Sequence, residues 1–204
     1  LGSIGNGMDI LPILPSVLAL RATIPDDAFT ATTLGTLREG SGVLIRDTGL
    51  VLTIGYLITE AEEVWLTTHD GRVAAAHPLA YDQQTGFGLV QALDRLDLPA
   101  LELGDSASAR LGDPVILADG TGNAIRTTVV ARQEFAGYWE YLLDDAIFTA
   151  PAHPSWGGAA LIGADGKLLG IGSLRLQMIS SGEVADINMA VPIDLLPPIL
   201  DDMK

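Results

Sequence analysis

Apolar residues in this chain recur in short continuous or alternating runs bounded by Gly, Asp and Thr, and helical spacing is scarce. That pattern predicts strands joined by tight turns. Gly42-Val43-Leu44-Ile45 and Leu50-Val51-Leu52-Thr53 flank Asp47-Thr48-Gly49, a hairpin signal with a glycine able to take positive φ. Val64-Trp65-Leu66-Thr67-Thr68 and Val73-Ala74-Ala75-Ala76 predict a second hairpin around Asp70-Gly71. Leu161-Ile162 and Leu168-Leu169-Gly170-Ile171 flank Ala164-Asp165-Gly166-Lys167 and predict a third, and Gly86 to Ala92 predicts a further strand.

Two segments read as helical. Thr59-Glu60-Ala61-Glu62-Glu63 suits a short turn capped by Thr59, with Glu62 three residues on. Ile193 to Met203 predicts a terminal helix with Asp194 as its cap and Pro197 in its first turn, where a missing N–H costs little. Leu96 to Asp105 is turn-rich and extended, and it separates two blocks of similar length. The expected organisation is all-β, with two antiparallel β-barrels: residues 17–95 form the first, and residues 103–204 form the second with a short C-terminal helix.

Composition narrows the function classes. The 204 residues are 48% hydrophobic, enough for a sizeable core, with 23 glycines and 11 prolines for the turns. The formal net charge is −15, from 26 acidic and 11 basic residues. That balance repels phosphate backbones and anionic lipid, so neither nucleic acid nor a membrane is an expected partner, while cationic partners are weakly favoured. The chain has no cysteine, which removes disulfides, thiol catalysis and cysteine-ligated zinc. No apolar run approaches the ~18–20 residues of a membrane span. Residues 1–16 read as a leader remnant ahead of Met8 followed by an N-terminal arm. The expected compartment is the cytoplasm if Met8 is the native start and the periplasm otherwise.

Gly40-Ser41-Gly42-Val43-Leu44-Ile45, followed by Asp47 to Thr53, resembles the entry into the first barrel of trypsin-like serine proteases of the bacterial HtrA type. Asp82 to Val90 resembles that family's catalytic-aspartate loop. Leu98 to Ser106 and Leu111-Gly112-Asp113-Pro114-Val115 resemble its interbarrel joint, and Asn188-Met189-Ala190-Val191-Pro192-Ile193 its closing strand. The resemblance implies two six-stranded trypsin-like barrels. It also implies a histidine at Tyr56, an aspartate at Gly86 and a serine at Trp156, where Gly157-Gly158-Ala159 match the end of the nucleophile loop. The family's PDZ module is not found among the 204 residues.

None of those three substitutes can do the family's chemistry. Acyl transfer needs a hydroxyl bonded to an imidazole that a carboxylate orients. Trp156 has no nucleophilic atom, the neutral phenol of Tyr56 is a poor base, and Gly86 holds no tautomer. In the resembled fold the oxyanion donors are the backbone N–H groups at the positions of Pro154 and Trp156, and proline has none. The expectation is a pseudoprotease that binds a protein or peptide, or serves as a regulatory or assembly subunit, as a homo-oligomer in one form, with no cofactor.

Two alternatives stay open from sequence. Ser155 with His153, two residues before it, could make a relocated hydrolase dyad; the plainer reading is a turn serine and a solvated histidine. His69 and His77 could meet on the second hairpin and bind a metal, although two imidazoles alone make a poor site and surface positions are the plainer reading. Aromatic residues cluster at Phe135, Tyr138, Trp139 and Tyr141. Tyr138, Trp139 and Trp156 are the candidate peptide-binding rings. The strand through Ile171, Gly172 and Ser173 resembles the edge that pairs with substrate backbone, and such an edge captures extended peptides by strand addition.

Overall fold

Gly49 takes φ +94° between β2 (Leu37–Arg46) and β3 (Leu50–Ile54), so the first predicted hairpin forms on the turn its sequence specifies. Val43 faces Leu52 and Leu44 faces Val51 across it. Gly166 at φ +78° turns the third, between β10 (Ala160–Ile162) and β11 (Leu168–Ser180). The second joins β4 (Glu63–Thr67) to β5 (Val73–Tyr81). The computed structural model describes residues 9–137 and 142–204.

Among the described residues, twelve strands close into two six-stranded antiparallel barrels. β1 (Val17–Thr23), β2, β3, β6 (Phe87–Ala92), β5 and β4 are neighbours in that order around the first. Around the second, β10, β11, β12 (Glu183–Pro192), β9 (Leu142–Ala150), β8 (Ala124–Ala136) and β7 (Pro114–Ala118) follow in turn. Closure leaves neither sheet with an open side along its barrel wall.

All five residues of β3 are buried, which explains why this run does not alternate. One side of the strand faces the first barrel's interior, and the other lies under β11 of the second. A continuous apolar core runs from Leu18, Leu52 and Phe87 to Ile116, Phe148 and Ile171, so the two barrels share packing. Truncating a side chain in such a core costs about 2–5 kcal/mol, and the cleft between the barrels therefore has firm walls. The segment between β6 and β7 is pinned too. Leu96 and Leu101 are buried, and the Leu101 N–H donates to Leu44 O.

Two local expectations are corrected. The helical turn falls at Gly55–Leu57, ahead of Thr59, whose hydroxyl donates back to Gly55 O at 2.8 Å. Glu60 then takes φ +61°, which ends any helix, and its carboxylate accepts from Phe29 N, Thr30 N and the Thr30 hydroxyl. The terminal helix, α1 here (Leu196–Asp202), carries Pro197 in its first turn as expected, but Asp194 does not cap it. A 3-10 turn at Ile193–Leu195 intervenes, and the Asp194 carboxylate instead accepts the N–H groups of Ser106 and Ala107, each at 2.9 Å.

Candidate functional site

The cleft lies where the end of β3 meets the loop before β10, and the structure brings Tyr56, Gly86 and Trp156 together there. Gly86 sits directly behind the Tyr56 turn, its carbonyl accepting the Gly55 N–H at 2.7 Å. Asp82 holds that loop, since its Oδ2 accepts from the N–H and hydroxyl of Thr85. The Tyr56 hydroxyl crosses the cleft and donates to the carbonyl oxygen of Ser173 at 2.8 Å. It passes 3.0 Å from where a Cβ at Gly157 would stand.

A buried cation positions the Tyr56 turn. Arg38 is 4% exposed, and its Nη1 donates to the carbonyls of Tyr56 at 2.7 Å and Thr59 at 2.9 Å. Its other nitrogens reach Gly35 O and the Thr30 hydroxyl. Burial pulls the guanidinium below its ordinary value, and the Glu60 carboxylate pushes it back up. Sequence reading missed Arg38, because nothing local marks one arginine on an exposed-looking strand as the inward one.

The loop carrying Trp156 is clamped to both barrels. Ser41 N donates to Gly157 O, Gly158 N to Gly172 O and Ala159 N to Trp156 O. Gly158 takes φ +76°, and a Cβ there would run into the Ser41 carbonyl. Ser41 is itself buried between the barrels. Its carbonyl accepts the Thr53 hydroxyl, and its Oγ accepts Gly120 N, both at 2.8 Å.

His153 and Ser155 do meet, but not as a catalytic dyad. His153 is 1% exposed, which corrects the picture of a solvated histidine. Its Nδ1 accepts the backbone N–H of Ser155 at 2.9 Å, so that nitrogen carries no proton and is closed to the Ser155 hydroxyl. Its Nε2 faces Asn123 O at 3.2 Å and Asp119 Oδ2 at 3.8 Å. Asn188, 1% exposed, accepts His153 N at 2.6 Å. The ring is a structural pin under the loop. With no N–H on Pro154 and that of Ser155 committed to His153, two successive positions offer nothing to a developing oxyanion. Asp119 and Asn188 escaped sequence reading because the first looks like a turn residue and the second like one member of a strand.

Along β11, Ile171 is fully buried and paired on both sides, to Ala160 and Val191. Gly172 gives its N–H to Ala159 O and its carbonyl to Gly158 N. These two residues therefore support the loop and cannot meet a peptide, which corrects part of the expected edge. Beyond Ser173 the strand continues from Leu174 to Ser180 paired with β12. Trp156 is half-buried at the cleft. Tyr138, Trp139 and Tyr141 lie outside the described residues. Phe135 packs on Phe148 with ring centroids 6.4 Å apart, as ordinary barrel packing.

The two hairpin histidines do not meet. His69 is exposed at the β4–β5 turn near Gly122. His77 lies four residues past the start of β5, opposite Gln91, about 13 Å along the strand at ~3.3 Å per residue. Among the described residues no group of three or more His, Cys, Asp or Glu is placed to hold a metal ion.

Comparison with known proteins agrees with this architecture. The family described as a trypsin-like peptidase domain matches residues 40–171. The serine endoprotease DegS of Escherichia coli K12 is 27% identical over 174 residues, covering 80% of this chain and 48% of that protein. The serine protease Do-like HtrA of Bacillus subtilis is 24% identical over 215 residues, covering 96% of this chain and 47% of that protein. The chain thus spans about half the length of these curated relatives. A solved structure described as the HtrA-type protease AlgW with tripeptide shares the fold, with a TM-score of 0.76 and 24% identity, over 95% of this chain and 62% of that one.

Proposed function

This chain belongs to the trypsin-like peptidase family, and we propose that it is a non-cleaving member of the HtrA type, which binds an extended polypeptide in the cleft between its barrels. One observation carries the reading: a phenol, not an imidazole, spans the cleft from Tyr56 to the Ser173 carbonyl. A phenol donating that bond takes no proton from a nucleophile. Trp156, beside it, supplies a ring and no nucleophile. The likeness to HtrA-type structures solved with a tripeptide and with a decapeptide favours a peptide as the ligand. Trp156 and the outer length of β11 from Leu174 are the residues that would meet it, together with Tyr138 and Trp139; Ser173 is buried, its carbonyl held by Tyr56. A regulatory or assembly role, including self-association, is the same reading at the level of a complex.

The test combines turnover and binding. The purified chain is incubated with fluorescent casein and with a fluorophosphonate probe, and is then applied to a peptide array. The expected result is no cleavage, no covalent label, and array binding that weakens on Trp156→Ala while the thermal transition persists. Inhibitor-sensitive casein cleavage, or a label on Ser155, would overturn the proposal.

A further inference from the structure

The cleft beside Trp156 encloses about 450 Å³, and its wall is chemically one-sided. Glu39, Tyr56, Asp119, Thr121, Ser155 and Trp156 line it, and among the described residues no lysine, arginine or histidine does. Glu39 projects from β2 into solvent and, among the described residues, makes no ion pair. Arg21 faces it across the β1–β2 ladder, yet among the described residues reaches no carboxylate within ion-pair distance.

Asp119 forms the floor at 2% exposure. Its Oδ1 accepts the Thr121 N–H and hydroxyl, each at 2.8 Å, and the Asn123 N–H at 3.1 Å. Three donors on one oxygen hold a carboxylate in place without adding a compensating charge. The nearby imidazole of His153 lies 3.8 Å from its Oδ2, with Nδ1 taken up by the Ser155 N–H. A carboxylate flanked by low-dielectric protein projects its field into the cleft more strongly than one in water.

Two half-buried aromatic side chains complete the wall, Tyr56 and Trp156. Aromatic faces attract cations, tryptophan most of all. From this wall we infer that the cleft receives one basic side chain, an arginine or a lysine, presented by a protein partner. The overall charge of −15 draws such a partner in. The inference rests on the peptide-binding reading above and names the chemistry at one of its subsites.

The test follows backbone and indole N–H signals of the full chain by NMR. Three probes are titrated in parallel: N-acetyl-Ala-Arg-Ala-amide, the same peptide with citrulline for arginine, and N-acetyl-Ala-Val-Ala-Val-amide. Citrulline keeps the length and hydrogen-bonding shape of arginine and removes the charge. The expected outcome is that the arginine peptide shifts the Trp156 indole and the amides of Glu39, Thr121 and Ser155. It should bind roughly tenfold more tightly than the citrulline peptide, with the difference shrinking in high salt. Glu39→Gln should lose several-fold of that preference while keeping the fold. If all three peptides bind alike, the basic-side-chain subsite is wrong and the peptide-binding reading stands. If none perturbs the cleft, both fail.

Discussion

The Tyr56 hydroxyl and the Ser173 carbonyl, 117 positions apart in the chain, share a 2.8 Å hydrogen bond that ties the first barrel to the second across the cleft. Tyr56→Phe deletes the donor and leaves the carbonyl behind. The expected loss is about 1 kcal/mol of unfolding free energy, read as a lower urea midpoint at unchanged m-value. Tyr56→His should lose a similar amount and gain no casein cleavage. An unchanged midpoint for Tyr56→Phe would show that the bond contributes nothing to the barrel–barrel contact.

Rebuilding the missing side chains alone should not rebuild an enzyme. A triad contributes a factor on the order of 10⁶, but one oxyanion donor is worth a further ~10²–10³. Pro154 removes a donor that no side-chain change at Tyr56, Gly86 or Trp156 replaces. The triple variant Tyr56→His, Gly86→Asp, Trp156→Ser is therefore expected to react with a fluorophosphonate near background. Adding Pro154→Gly should raise the labelling rate by about 10²-fold. Equal rates with and without the Pro154 change would remove the oxyanion argument.

His153 is expected to act as a structural pin rather than a base. His153→Phe fits the volume but leaves the Ser155 N–H without its acceptor, while Asn123 O keeps the Asp119 N–H at 2.9 Å. A stranded donor costs about 1–3 kcal/mol, so a loss of that order is expected. Trp156 emission should also shift, because the loop it sits on is released. Ser155→Ala should do neither, since only the backbone of Ser155 contacts the ring. A large loss from Ser155→Ala would contradict this division.

The turns and the barrels were legible because their determinants are local. Gly49 and Gly166 meet a φ demand within their own hairpins, and Gly157-Gly158 mark the loop that passes Ser41. The relationships that shape the cleft are not local. Arg38 reaches Tyr56 and Thr59 from another strand, and His153 meets Asp119 and Asn123 of the β7–β8 turn and Asn188 of β12. Pattern reading assigns such residues to a solvated loop or strand face, because burial of a polar group is decided by what folds over it. Ile171 and Gly172 illustrate the converse. Their strand was readable, but which of its residues the loop before β10 would occupy was not.

Asp194 supplies a pH dependence whose sign can be worked out. Burial opposes its ionisation, but the N–H groups of Ser106 and Ala107 and the Ser106 hydroxyl outweigh that and hold its carboxyl below the usual carboxylate range. The folded-state value is thus depressed relative to the unfolded ~3.9. Stability from this group is fully present above the unfolded value and disappears as pH falls through the folded one. Asp194→Asn keeps the shape but removes the charge, so it should lower stability at pH 7 by about 1 kcal/mol, as for a lost cap. It should also flatten the acid limb of the stability curve, the gap to the parent closing below pH ~4. Urea denaturation of both proteins from pH 7 to pH 3 measures this. A gap that stays constant over that range would mean that the carboxylate's charge plays no part in holding the second barrel's first turn to the closing segment.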